Sequence, residues 1–249
     1  MTRDHVPPKS TVTTDIREAR HLTEYLDCEE RAVRKVKGSI DFPSICRRCN
    51  TDRLGTEYDP ELKAFCDQVA TWIRARYSHN LTLGPRFKVH CKPQRLLRAI
   101  IGHLLAVEPD VKRWLPIKDA PMPNSYRQYF LDPTLPLPEE IRVYCWPYPS
   151  QKQVIIRSAG IMEYGKKGVI VSDFLKFFPI GFWVTWEQPD SVSIALSEIT
   201  PKQSCPLDDI CEVEIRLDLV PPIDWPEGPD QLGELGMLLA NDRLTVITE

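Results

Sequence analysis

The sequence predicts an α+β protein in which a polar N-terminal segment precedes two packing helices and a C-terminal antiparallel β-rich domain. Three observations predict this class. Apolar residues recur at helical spacing after Asp59 and again after Pro93. Beyond Pro149 the chain is built from short runs of β-branched and aromatic residues, which Gly, Pro and Asp separate.

Each predicted helix has its own start signal. Asp59 suits an N-cap and Pro60 suits the first helical position, so we expect the first helix to run from there to about Tyr77. The second helix begins at Pro93, and a short helical turn is predicted at residues 126–130. Both long helices carry one apolar face and are therefore expected to pack on the rest of the protein.

The predicted strands follow in the second half of the chain. They are residues 153–161, 167–177, 181–188, 191–199 and 211–219. Aromatic side chains are dense in the middle of this region: Phe174, Phe177, Phe178, Phe182, Trp183 and Trp186. Such a run can form a platform for stacked bases, but the core of a sheet is the more common role, and we predict that role.

The pattern divides the chain into four segments. These are a polar segment at 1–58, a helical segment at 59–130, a β-rich domain at 131–220 and an acidic tail at 221–249. Within the first segment we predict a helix at residues 16–26 and a strand at 31–40. A short strand is expected to close the tail at residues 244–247.

Composition limits the class of protein. The chain has 249 residues, of which 42% are hydrophobic and 27% charged, enough to bury a core without disulfides. The longest apolar stretch, residues 99–107, is too short to span a bilayer, and the N-terminus lacks the apolar region of a secretory signal. We therefore expect a cytoplasmic protein without membrane contact, in which the eight cysteines are reduced thiols or metal ligands.

Charge is distributed unevenly along the chain. Residues 1–118 contain 22 Lys and Arg against 15 Asp and Glu, whereas residues 119–249 contain 10 against 20. A basic N-terminal half suits a polyanionic partner, although a solvated basic face has the same composition. Charge alone therefore leaves both interpretations open.

Three segments of the first quarter carry chemistry. Asp4 and His5 place a carboxylate beside an imidazole, and Asn50 directly follows the C-x-x-C pair of Cys46 and Cys49. In order, DHVPPKS (4–10), DFPSICRRCN (41–50) and RLGTEYDPELKAF (53–65) resemble the HNH (ββα-metal) endonuclease family. The resemblance covers about residues 1–65.

This resemblance implies an N-terminal ββα-metal module that hydrolyses phosphodiester bonds in DNA with one divalent cation, Mg²⁺ or Mn²⁺. By the same resemblance, Asp4 and Asn50 hold the cation and His5 is the general base. Asp41 stands where the family has its middle Asn, and there it would orient His5. The family also implies a bacterial or phage setting.

Two further assignments depend on the same segments. In many family members four cysteines bind a structural zinc, and Cys46 and Cys49 provide half of that set. The chain begins three residues before Asp4, where the second pair is expected, so two thiols of a decayed zinc knuckle fit equally well. Arg47, Arg48 and Arg53 lie beside the predicted cation and are candidates for phosphate contacts, with a solvated face as the alternative.

Other interpretations remain open at this point. His5 can be a surface histidine, Asn50 can cap a turn, and His103 is expected to be a structural histidine of the second helix. At the level of function, the alternative is a catalytically inactive HNH-like scaffold that binds nucleic acid, or binds a partner protein through the β-rich domain. A structural protein without a nucleic-acid role is a third possibility. Oligomeric state is left open.

Overall fold

The computed structural model describes residues 2–13, 15–21, 34–79, 84–107, 121–163, 169–189, 193–228, 236–239 and 245–248. Its helices and antiparallel sheets confirm the α+β class. The helical elements are a π-helix at Arg48–Tyr58, α1 at Asp59–His79, α2 at Pro93–Ala106, α3 at Pro121–Leu131 and a short 3₁₀ turn at Lys9–Thr11.

Strands make up the rest of the regular structure among the described residues. In chain order they are β1 Thr2–Val6, β2 Ile16–His21, β3 Arg34–Lys37, β4 Ile40–Ile45, β5 Arg86–Cys91, β6 Ile141–Pro147, β7 Gln153–Glu163, β8 Val169–Phe177, β9 Ile180–Trp186, β10 Ser197–Glu198, β11 Cys211–Arg216, β12 Gly236–Leu239 and β13 Thr245–Thr248. The predicted strands at 153–161, 167–177 and 181–188 are confirmed as β7, β8 and β9.

One large antiparallel sheet contains strands from both the first and the last predicted segment of the chain. Its strand order is β10-β6-β9-β8-β7-β13-β2-β3, and β12 also pairs with β7. The sheet therefore takes strands from three of the four predicted segments, including the acidic tail. Two further antiparallel pairs, β1–β4 and β5–β11, stand apart from it. The division into four segments stays a prediction.

The large sheet is covered on both faces, because its side chains alternate between two apolar clusters. Ile155, Leu175 and Phe182 belong to the main core, which the three helices share. Their neighbours Phe174 and Trp183 belong to a second cluster on the opposite face, against which Trp225 packs. The aromatic run is thus the core of a sheet, as predicted.

The helices confirm the sequence pattern with one correction. α1 and α2 occupy the predicted positions, and α3 extends the predicted turn at 126–130 to eleven residues. Asp59 is not an N-cap, however. Its φ of −59° and ψ of −33° are helical, because the π-helix runs directly into α1 without a break.

The predicted helix at residues 16–26 is wrong over its described part. Residues Ile16–His21 form β2, which pairs with β3 on one side and β13 on the other. Its apolar residues fit either period over so short a run, and pairing with a strand more than 200 residues away decides for the sheet. The rest of that predicted helix, including Cys28, lies outside the described residues.

None of the helices in the described part of the chain combines the length and apolar character that a membrane crossing needs.

Candidate functional site

The two strands β1 and β4 carry the first group of predicted site residues. They pair antiparallel, with His5 opposite Asp41 and Asp4 opposite Phe42. The pairing is irregular between Thr2 and Asp4, and such a bulge locally re-aims the side chains of a strand. From Asp4 onward the side chains alternate, with Asp4 and Val6 buried and His5 half-buried between them.

The buried side of Asp4 contacts a histidine of α2. The Nδ1 atom of His103 donates to Oδ2 of Asp4 at 2.9 Å, and its Nε2 atom donates to Oδ1 of Asp59 at 2.9 Å. His103 is fully buried, and the side chains of Asp4 and Asp59 are 5% and 17% exposed. Three elements, β1, α1 and α2, therefore meet at one imidazole ring.

The charge of His103 follows from these contacts. Burial disfavours the charged ring, but the two carboxylates outweigh it and raise the pKa of His103 to about 10. The ring is therefore an imidazolium at neutral pH, with a proton on each nitrogen. As predicted for a structural histidine, both ring nitrogens of His103 have hydrogen-bond partners. These partners are Asp4, which is a predicted site residue, and Asp59, which is the first residue of α1.

Asn50 approaches the same strand from the π-helix. Its Nδ2 atom donates to the carbonyl oxygen of Arg3 at 2.8 Å and to Oγ1 of Thr2 at 3.1 Å. These bonds hold the first turn of the π-helix against β1. Because the amide nitrogen faces the strand, the amide oxygen is the atom left for another partner.

A cleft brings together Asp4, His5 and Asn50, and we call it the Asp4 cleft; the other predicted site residues, Asp41, Arg47, Arg48 and Arg53, are not among its lining residues. Its volume is about 370 Å³. The residues that matter for its chemistry are Asp4, His5, Lys9, Asn50, Asp59 and Lys63. Asp4 and Asn50 are far apart in sequence, and the pairing of β1 with β4 brings both to one wall of the cleft.

His5 has the properties of a base that is neutral at pH 7. Burial lowers its pKa, and the positive charge of Lys9 lowers it further, against the opposing effects of Asp41 and Asp4. Its Nδ1 atom is buried and has no hydrogen-bond partner among the described residues. This nitrogen is thus not held by a side chain in the described part of the chain.

Asp41 lies across from His5, as its predicted role requires, but its carboxylate is also bound elsewhere. Its Oδ2 atom accepts a hydrogen bond from Nη1 of Arg3 at 2.9 Å. Residues 3 and 5 lie on the same face of β1, so Arg3, His5 and Asp41 form one group at this surface. The negative charge of Asp41 favours a protonated His5.

The three predicted phosphate-binding arginines have different surroundings. Arg47 and Arg48 are exposed at the start of the π-helix. Arg53 instead donates to the carbonyl oxygens of Phe130 and Leu131, and so caps the C-terminus of α3. We therefore leave Arg53 out of the proposed contact set.

The two cysteines of the C-x-x-C pair lie close together. The backbone nitrogen of Cys49 donates to Sγ of Cys46 at 3.4 Å. Burial raises the pKa of Cys49 to about 11, whereas at Cys46 hydrogen bonds from Cys49 prevail over burial and lower the pKa. His90 lies beside Glu212 on β11, with 3.9 Å between Nε2 and Oε2. The half zinc site stays a prediction.

The donor atoms of the Asp4 cleft suit a hard cation. Asp4, Asn50 and Asp59 supply oxygen atoms, and oxygen is what Mg²⁺ and Mn²⁺ prefer. Among the described residues, no three His, Cys, Asp or Glu side chains are grouped so that they could hold a metal ion. Magnesium sites often use only one or two carboxylates together with water and substrate phosphate, so the residues present fit such a site.

Sequence reasoning missed two features of this site. The sequence pattern predicts Asp59 as an N-cap and gives no indication of a role for Lys9 or Lys63. The signal for the lysines was weak, because isolated lysines are common on any surface. The link between Asp59 and Asp4 depends on His103, which is 99 residues from Asp4 along the chain.

Comparison of the chain with protein-family models, with curated proteins and with solved structures found no match.

Proposed function

We propose that the protein is a metal-dependent endonuclease of the HNH type, which hydrolyses phosphodiester bonds in DNA at the Asp4 cleft. One observation carries the proposal. Three of the four residues that the sequence resemblance assigns to the reaction, Asp4, His5 and Asn50, line one open cleft with oxygen donors and a neutral imidazole. The proposal includes a cytoplasmic location, where DNA is present.

His5 is the general base in this mechanism. Since its pKa is lowered, it is neutral at pH 7 and takes a proton from the attacking water. Asp41, on the opposite strand, stabilises the imidazolium that this transfer produces. A cation held by Asp4 and Asn50 would polarise the scissile phosphate and offset its developing charge.

Basic residues around the cleft bind the DNA backbone. Lys9 and Lys63 line the cleft, and Arg47 and Arg48 are exposed nearby at the start of the π-helix. Lys63 also forms an exposed ion pair with Asp67, which is too weak to prevent a phosphate contact. Contacts of this kind position the strand and make binding depend on salt.

The test is nicking of supercoiled plasmid by the purified protein with Mg²⁺ or Mn²⁺. We expect EDTA to abolish nicking, and we expect His5→Ala to slow it by at least about 100-fold, which is the usual contribution of a general base. His90→Ala is the matched control, because that histidine is exposed on β5. Nicking that survives both EDTA and His5→Ala contradicts the proposal.

A second candidate is an inactive HNH-like scaffold that binds nucleic acid or a partner protein. One observation favours it: one carboxylate oxygen of Asp4 is already bound to His103. The acidic second half of the chain, which would repel DNA, suits a protein partner. Duplex binding that weakens with salt, in a protein that nicks no plasmid, single-stranded or branched DNA, supports this candidate over the enzyme.

A further inference from the structure

The buried histidine of α2 connects the candidate site to the interior of the protein. Both ring nitrogens of His103 donate to carboxylates, one from β1 and one from the first residue of α1, at 2.9 Å each. The ring itself has no exposed surface. A buried group with two ionic partners on two different elements fixes those elements relative to each other.

We propose that His103 is a positioning residue of the site: it holds Asp4 with one carboxylate oxygen left for a divalent cation, and Asp59 fixes its ring. This inference rests on the proposed function. His103 does not touch substrate or cation. It acts through Asp4.

The hydrogen bonds of Asp4 determine how it can bind. Its Oδ2 atom is taken by Nδ1 of His103, whereas Oδ1 has no hydrogen-bond partner among the described residues. Asp4 also lines the cleft. Binding through a single oxygen follows, and the direction of that oxygen is set by the contact with His103. Partners of this kind, one step removed from the metal, commonly change metal affinity 10- to 100-fold when they are lost.

The position of the ring gives it a second role. Each of its nitrogens lies 2.9 Å from a carboxylate oxygen, so the ring stands between the carboxylates that Asp4 and Asp59 bring to the interior. Without it, two carboxylates would remain near each other with no hydrogen-bonding group between them. Such a pair would turn towards water, and Asp4 would lose its fixed direction.

The close packing of α2 against the π-helix and α3 fixes the position of His103. A methyl group added at Gly102 would lie 2.6 Å from Cδ2 of Leu54 and 2.7 Å from Cε2 of Phe130. The helix therefore touches the π-helix and α3 at this glycine. Because His103 is the next residue, its ring cannot shift along or away from β1 without opening these contacts.

The test uses two variants that each keep one of the two hydrogen bonds. In His103→Asn the amide nitrogen can replace Nδ1 and donate to Asp4, whereas in His103→Gln it can replace Nε2 and donate to Asp59. We expect Mn²⁺, measured by calorimetry on the folded full-length protein, to bind about 10-fold more weakly to the Gln variant and to retain most of its affinity in the Asn variant. The Mg²⁺ dependence of nicking should follow the same order.

Leu105→Ala is the matched control, since it removes buried side-chain volume from the same helix without touching the cleft. We expect it to lower the melting temperature and to leave Mn²⁺ affinity unchanged. Equal Mn²⁺ affinity in the Gln, Asn and Leu105 variants overturns the inference, and if the wild-type protein still nicks DNA the proposed function stands. A wild-type protein that neither binds Mn²⁺ nor nicks DNA overturns both.

Asp59 gives an independent test if the His103 variants do not fold. Asp59→Asn keeps an oxygen that can accept from Nε2, whereas Asp59→Ala does not. A ring-fixing role predicts weaker Mn²⁺ binding in the Ala variant and rescue by Asn. Equal loss in both variants means that the Asp59 charge acts on the cation directly, which overturns its assignment as a residue that fixes His103.

Discussion

At the scale of single residues, two neighbours on one strand have different environments. Asp4 is buried and bound to an imidazolium, whereas His5 is half-buried and neutral at pH 7 because burial and Lys9 lower its pKa. Environments that separate an anion from a neutral base supply the two groups that metal-assisted hydrolysis needs. The alternation of side chains along β1 and the bulge beside Asp4 produce this difference.

The pH dependence of cleavage tests the assignment of His5. A general base works in its neutral form, so the rate should fall on the acid side with an inflection below pH 6.5. Lys9→Ala removes a positive charge that lowers the pKa of His5, and the inflection should therefore move to higher pH. Single-turnover nicking rates between pH 4.5 and 8 measure both effects.

Lys63→Ala is the control for that shift. Lys63 lines the same cleft but is not among the charges that act on His5. Its loss should slow cleavage at all pH values by weakening a phosphate contact, while the inflection stays in place. An inflection that does not move in Lys9→Ala, or that moves equally in both variants, contradicts the role of His5 as base.

At the scale of elements, local sequence patterns predicted most helices and strands correctly, whereas contacts between distant residues determined the conformation of β2 and the surroundings of Asp4. The helical period identified α1 and α2, and β-branched runs identified β7, β8 and β9. The helix predicted at residues 16–26 failed because β2 owes its conformation to β3 and β13, and β13 is more than 200 residues away. The motif segments include Asp4, His5 and Asn50, which line the cleft, but also Asp41, which does not. No local pattern indicates that His103 forms a hydrogen bond with Asp4.

The close approach of α2 predicts the effect of a single methyl group. Gly102→Ala would place Cβ well inside contact distance of Leu54 and Phe130, so the helix has to move or the neighbours have to shift. We expect the free energy of unfolding in urea to fall by about 1–3 kcal/mol, as for other overpacked cores. Cation affinity should fall as well, because His103 follows Gly102 and moves with the helix.

Gly55→Ala is the matched control for this prediction. Its Cβ would meet only the carbonyl oxygen of Asn50, at the ordinary distance of 3.4 Å. Replacing a helical glycine by alanine reduces the freedom of the unfolded chain, so this variant should be as stable as the wild type or more stable. If Gly102→Ala proves as stable as Gly55→Ala, the close packing of α2 against Leu54 and Phe130 is refuted.

At the scale of the whole molecule, the sheet joins segments of opposite charge into one structure. The C-terminal strand β13 lies between β7 and β2, so a strand from the end of the chain is built into the same sheet as a strand from the first predicted segment. Nearby, Nζ of Lys176 lies 2.7 Å from Glu227 and donates to the carbonyl oxygens of Ile223 and Trp225. The segment predicted as an acidic tail is thus anchored on the sheet, while the Asp4 cleft is formed by the basic half of the chain.

The buried imidazolium makes global stability depend on pH in a specific direction. The pKa of His103 is about 10 in the folded protein and near 6.5 in an unfolded chain. Its stabilising effect is therefore complete below pH 6.5 and is lost as pH rises from 6.5 to about 10. Between these limits we expect the free energy of unfolding to fall by an amount on the order of a few kcal/mol. Urea denaturation of the wild type and of His103→Asn across this range isolates the effect, because the variant lacks the titrating ring but keeps every other group. A difference between the two proteins that does not change from pH 6.5 to 10 contradicts a charged His103 between Asp4 and Asp59.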